Sequence, residues 1–386
     1  MSRTHVVLLA MTAAASGCRA SNAPAPAAAE SGAFVVRLGN DTVAVDSYTR
    51  VGDRIEGTFM SRAPRTAVTR YTITLGPGGL PALYEVSQRL PDGGLVPPNN
   101  VQAATVTFAG DSAITQIRRD SVITRRVAAR NAFPFLNLAV SMYALPIAAL
   151  RAMNRDSASF NIVGAGGGNP NTIAVVRKGP NRYWAILGGF PTEVTTDDKG
   201  RVVTVDGART TQHIMATRQA SADVASLASM FASRGGALSP RDTVSATVGS
   251  AKLWLDYSRP SARGRRIFGA NGVLGDTIWR TGANAATQFQ TDAPLTIAGQ
   301  TVPPGKYTLW TLAVPGRYQL IINKQTGQWG TEYHAEQDLV RVPLQATPLA
   351  QPVDRFTIAV DPNGSNAGVL RLRWDTTELS VPFTTP

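Results

Sequence analysis

AFPFLNLAVSMYALPIAAL, residues 132–150, carries no charged side chain, and its reading decides the fold. By length alone it could cross a bilayer as one helix. Pro134, Asn137, Ser141 and Pro146 interrupt it, and arginines stand on both flanks: Arg125, Arg126 and Arg130 before, Arg151 and Arg155 after. Basic residues at both ends give no orientation signal for a span. We therefore read a buried helix near 132–153, kinked or split at Pro146, because proline removes one backbone donor and clashes with the preceding turn.

What that helix would be buried in follows from the text around it. Upstream, TVAVDSYT (42–49), DRIEGTFMS (53–61), TAVTRYTITL (66–75), ALYEVSQR (82–89), VQAATVTF (101–108) and SAITQIR (112–118) alternate apolar and polar residues. Glycine- and aspartate-rich turns separate them, the pattern of an antiparallel meander. Downstream, SFNIVG (159–164), TIAVVRK (172–178), RYWAILG (182–188), RVVTVDG (201–207) and TQHIMATR (211–218) repeat the style. The expectation is a curved antiparallel sheet over residues 33–220 enclosing one apolar helix. The glycine run GAGGGN (164–169) lacks the Lys-Ser/Thr of a phosphate loop and reads as a turn.

ADVASLASMFAS (222–233) looks helical, with Val224, Leu227 and Phe231 on one side. RGGALSPRD (234–242) then breaks the chain, so 221–241 is read as helix and linker. From 242 to 386 short alternating strands resume with no long helix, which predicts a C-terminal antiparallel β-sandwich. The whole is mainly β.

The N-terminus reads as an export signal. After Arg3 and His5, VVLLAMTAAA (6–15) is an apolar run too short to span a membrane. It ends in Ala15-Ser16-Gly17-Cys18, which resembles the bacterial lipoprotein signal, with alanine where leucine is usual. That resemblance implies a signal peptide over 1–17, acylation of Cys18 (palmitate and companion chains) and a membrane anchor. Cys18 is the one cysteine, so no internal disulfide can form. Residues 18–32, rich in Pro and Ala, read as a tether. The expected location is the cell envelope. Arg19, where some retained lipoproteins carry an acidic residue, points to the outer membrane. Oligomeric state is not legible.

The chain has 38 Lys and Arg against 26 Asp and Glu, a net charge of +12. Such an excess favours anionic partners by long-range attraction. No nucleic-acid motif is present, and export argues against that partner. No cofactor motif is found.

The C-terminal region resembles DUF2911, a family of bacterial exported domains of unknown function. The resemblance rests on Tyr257-Ser258-Arg259-Pro260, Arg263-Gly264-Arg265, Ile267-Phe268-Gly269, Trp279 to Asn284 (WRTGAN), Ala286-Thr287, Pro304 to Leu309 (PGKYTL) and Gln328 to Thr331 (QWGT) with Tyr333. It implies neither an activity nor a catalytic residue.

These blocks concentrate Arg, Asn, Gln, Trp and Tyr. Arginine forks take carboxylate or phosphate, aromatic faces take sugar rings, and amides pair with hydroxyls. We expect non-catalytic binding of an anionic or glycan ligand through Tyr257, Arg259, Arg263, Trp279, Arg280, Asn284, Gln328 and Trp329. Against this stands a bracing role, with Arg259 and Arg280 tied to backbone carbonyls and Trp279 and Trp329 in the core. A hydrolase using Asp256, Glu332 or His334, and a purely architectural protein, are the other readings. Glu332, His334, Glu336 and Asp338 share a face if extended, yet only His213 and His334 follow the signal, too few nitrogen ligands for zinc. No metal is expected.

Overall fold

A computed structural model describes residues 29–386 apart from 64, 235, 271, 276 and 315. The expected signal peptide, Cys18 and most of the expected tether lie outside the described residues. Two large antiparallel sheets make up the protein, one of fifteen strands and one of ten.

The first sheet is a meander wound in two directions. It runs from Glu30–Leu38, strand by strand, to the edge at Val122–Ala128, and then restarts at the opposite edge with Ala132–Phe135. From there it works back to Ile214–Gln219, which pairs antiparallel with Glu30–Leu38. Only residues 129–131 link the two edges. At about 3.5 Å per extended residue those strand ends lie within roughly 15 Å, so the sheet curls on itself. The first strand begins at Glu30, opposite Arg50, so the expected tether is shorter than residues 18–32.

The hollow of the curl holds the helical segment, as its uncharged sequence required. Val140–Tyr143 forms a 3-10 turn and Ala144–Ala152 the α-helix, α1. Leu145, Ile147 and Leu150 are buried in one cluster with Phe34, Tyr84 and Phe160 of the strands. The helix is shorter than 132–153. Ala132–Phe135 is instead an edge strand, parallel to Ser157–Gly164. Pro134 explains the difference: its missing N–H is tolerated on an edge strand but not inside a helix. Pro146 sits in the first turn of α1, where its missing donor costs no helical bond.

A buried carboxylate fastens this segment to the sheet. Asp46, fully buried, accepts the backbone N–H of Ser141 at 2.8 Å and the Tyr71 hydroxyl at 3.0 Å. Burial pushes its pKa up against the opposing effect of those hydrogen bonds. No helix among the described residues is long and apolar enough to cross a membrane.

Val224–Ser233, α2, is capped by Asp223, whose carboxylate accepts the Ser226 N–H at 2.9 Å. Its buried Phe231 packs on Val45 and Met60 of the first sheet.

The second sheet folds over into a sandwich. The long strands Asp338–Pro362 and Ala367–Thr384 pair along their length, with register breaks between Pro348 and Val353 and between Val353 and Thr357. The bend there encloses a core that includes Leu255, Trp279, Leu309, Ile322, Phe356 and Trp374.

Candidate functional site

The site residues follow from strand alternation in the sandwich. In Ala251–Ser258, Ala251, Leu253 and Leu255 are buried while Lys252 and Trp254 are exposed. Period two therefore puts Lys252, Trp254 and Asp256 on the outer face. Trp254 lies opposite Gln290, and Gln290 opposite Lys306. On the other side Trp254 pairs with Ser245. One row of the outer face thus reads Ser245, Trp254, Gln290, Lys306. The adjacent row places Asp256 opposite Gln288.

Further along the same sheet the outer face is covered by two loops. Residues 280–287 and 324–334 close over Trp310 and Ile321, both buried with Ala286. The two loops are laced together. Arg280 Nη1 donates to the Asn284 carbonyl at 3.1 Å, and Gly330 N donates to the same oxygen at 3.0 Å. Gln328 Nε2 and the Trp310 indole both donate to the Thr308 hydroxyl at 3.1 Å. Gly327 N donates to Gln288 Oε1 at 3.1 Å, which ties the loop to the open face.

The step from covered to open face makes a groove of about 930 Å³. Trp254, Gln288, Gln290, Lys252, Lys306 and Asp292 line it. It offers one aromatic face, 38 % exposed, two amides, two ammonium groups and one carboxylate. Asp292 is oriented by the Lys252 backbone N–H at 2.6 Å.

The structure gathers Arg280, Asn284, Gln328 and Trp329 into the loop pair but sends the other expected site residues elsewhere. Tyr257 and Trp279 are core. Trp279 stacks on Trp374 with ring centroids 5.4 Å apart, and Tyr257 meets Phe356 edge-on at 5.7 Å. Arg259 braces the sandwich through the Phe356 carbonyl at 3.1 Å, the Thr357 hydroxyl at 2.7 Å and Asp242 at 2.9 Å. Arg263 reaches the first domain, pairing with Asp41 and donating to the Leu238 carbonyl at 2.8 Å. Arg280 is 8 % exposed, and desolvation lowers its pKa to about 10. Trp329 is 52 % exposed.

Asp256 is held by Arg241, with Nε 3.0 Å from Oδ1. His334 Nδ1 lies 3.0 Å from Glu336. Asp338 is engaged by Asn323 and Arg341, each at 2.8 Å, and by the Tyr333 hydroxyl at 2.6 Å. Among the described residues no three His, Cys, Asp or Glu side chains group as a metal site.

The loop pair and Tyr257–Arg265 are built from the sequence blocks noted above, and they fall within one family match. Residues 239–383 match DUF2911, a protein family of unknown function. No curated protein matches the chain. The DUF2911 region therefore contains the whole groove.

Sequence reading missed Trp254, Gln288, Gln290 and Lys306. The usable signal was AKLWLDY (251–257) itself: a tryptophan on the polar phase of an alternating strand. Dense polar blocks point to the loops beside the groove, of which only 324–334 borders it, through Thr326 and Gly327, and not to its floor.

Proposed function

We propose that the DUF2911 region is a non-catalytic binding module for an acidic glycan, held in the groove over Trp254. The observation that carries this is the row Ser245–Trp254–Gln290–Lys306 on an open sheet face beside a loop wall. The indole stacks on a sugar ring, Gln288 and Gln290 read hydroxyls, and Lys252 and Lys306 take the acidic groups. A flat, rigid platform suits a sugar chain because its own ordering costs little on binding.

With this goes the proposal that the chain is exported and anchored to the envelope membrane through Cys18. An exported glycan binder meets its ligand there, and the net charge of +12 raises local acidic-ligand concentration.

Titration calorimetry of the full chain against oligogalacturonate, hyaluronan fragments, chito-oligosaccharides and cello-oligosaccharides tests the module. Trp254→Ala should weaken binding at least tenfold, about 1.4 kcal/mol. Lys306→Gln should weaken only the acidic ligands and flatten their salt dependence. Equal binding of neutral and acidic chains by native protein, or unchanged acidic affinity in Lys306→Gln, would remove the acidic part of the proposal. Indifference to Trp254→Ala would remove the groove. For the anchor, incorporation of labelled palmitate in cells should vanish in Cys18→Ser.

A further inference from the structure

A second cavity lies in the hollow of the first domain, where the sandwich meets it. Its volume is about 470 Å³, within the roughly 300–1,000 Å³ usual for small-ligand sites. Phe135, Leu136 and Leu138 form one wall, Leu187 and Phe190 line it from the sheet, and Trp329 contributes from the second domain. No charged side chain lines it among the described residues. Its polar groups are neutral amides and hydroxyls, including Asn137 and Gln212.

Two features separate this cavity from a packing defect. First, its rims hold unusual backbone. Leu138 has φ 70° and His213, beside Gln212, has φ 50°. A leucine in the left-handed region is strained, and such strain gathers at ligand sites. Gln212 Nε2 donates to Asn137 Oδ1 at 3.4 Å, which joins the two strained rims. Second, Trp329 is left half exposed against an apolar lining, although burying such surface is favourable. An apolar ligand would cover it.

Neighbouring charges of both signs lie outside the lining. Arg265 donates to the carbonyls of Ala262 at 3.0 Å and Ser261 at 2.6 Å, and the Asp354 carboxylate partly offsets its charge. Desolvation, then the positive charge of Arg265, brings the His213 pKa down to about 4. Asp206 opposes that shift, so no bare cation marks this side, and the polar groups that a ligand would meet there are the neutral Asn137 and Gln212 amides.

We propose that this cavity holds one linear acyl chain whose headgroup, a carboxylate or a phosphate, stays at the mouth beside the Asn137 and Gln212 amides. At roughly 30 Å³ per methylene, comparable with the share of one water in the liquid, 470 Å³ accommodates about fifteen carbons. The site is separate from the glycan groove and stands without it.

The test is calorimetric titration of the full chain with palmitate and with palmitoyl lysophosphatidate, both below their micelle concentrations. Native protein should bind one acyl chain per molecule. Leu187→Trp fills the cavity and Leu187→Arg charges its wall, so each should weaken binding at least tenfold while the protein stays folded. Trp254→Ala should titrate as native, which keeps failure here distinct from failure of the glycan reading. Preference for palmitate or for the lysophospholipid names the headgroup source, and equal affinity assigns recognition to the chain. Titration that does not saturate, or affinity unchanged in whichever Leu187 variants fold, would overturn the site.

Discussion

Asp46 is a carboxylate placed where a carboxylate is costly. It sits in the hollow of the first sheet, and its two oxygens hold Ser141 N–H and the Tyr71 hydroxyl. Because burial raises its pKa above the ordinary 3.8, the folded state binds a proton that the unfolded chain has released. Stability from this group is therefore greatest below 3.8 and is lost as pH rises through the raised value. Asp46→Asn keeps the acceptor for Ser141 but cannot ionise. Its Tm relative to native should rise across that window and then level off; a constant difference from pH 3 to 8 would show that Asp46 does not titrate there. Asp46→Ala leaves the Ser141 donor unpaired inside the protein and should cost about 1–3 kcal/mol, read from urea unfolding. None of this was legible in TVAVDSYT. Period two places Asp46 on one face with Ala44 and Tyr48, but the partner, Ser141, is 95 residues away.

At the scale of elements, alternation and turn residues located the strands well, because period two survives in any antiparallel sheet with one buried face. The 132–150 segment was harder. An uncharged run reports burial but not conformation, so the edge strand Ala132–Phe135 was merged with the helix behind it. The loop blocks are legible in the sequence as dense polar stretches, but the sequence does not show that of these loops only Thr326 and Gly327 border the groove. The two loops are joined through the Asn284 backbone carbonyl, which both Arg280 Nη1 and Gly330 N reach. Gly330 tests that interlock. A Cβ on Gly330 would collide with the Arg280 side chain and with the Asn284 carbonyl, and the backbone oxygen cannot swing aside as a side chain would. Gly330→Ala should destabilise the sandwich by about 1–3 kcal/mol and weaken the groove's ligand through the displaced Gly327–Gln288 bond. Native thermal stability in Gly330→Ala would mean that the loops pack less closely than their hydrogen bonds indicate.

Across the whole molecule, one contact between the two sheets is a charged junction at Asp41. Asp41 Oδ2 accepts Arg62 Nη1 of its own domain at 3.1 Å and is paired with Arg263 of the sandwich. Asn40 N donates to the Arg263 carbonyl at 2.8 Å, and Gly39 packs against the same carbonyl with no room for a side chain. Burial opposes ionisation of Asp41, but the two guanidiniums outweigh it and hold its pKa below 3.8. The junction's contribution is therefore full above 3.8 and lost as pH falls through the depressed value, so it is constant across physiological pH. Removing the carboxylate leaves Arg263, whose side chain is 10 % exposed, without its anion. Loss of one partner from a largely buried pair is what costs most. The connecting segment should register the change first, since Arg62 Nε also donates to the Arg234 carbonyl at 3.1 Å. In Asp41→Asn, trypsin should cut after Arg234 several times faster than in native protein. Arg263→Met should do the same, and the double variant should be no faster than either alone, the signature of a shared contact. Because Trp329 reaches the acyl cavity from across this junction, palmitate should slow cleavage in both single variants. Cleavage at the native rate in Asp41→Asn would show that the domains are held by something other than this pair.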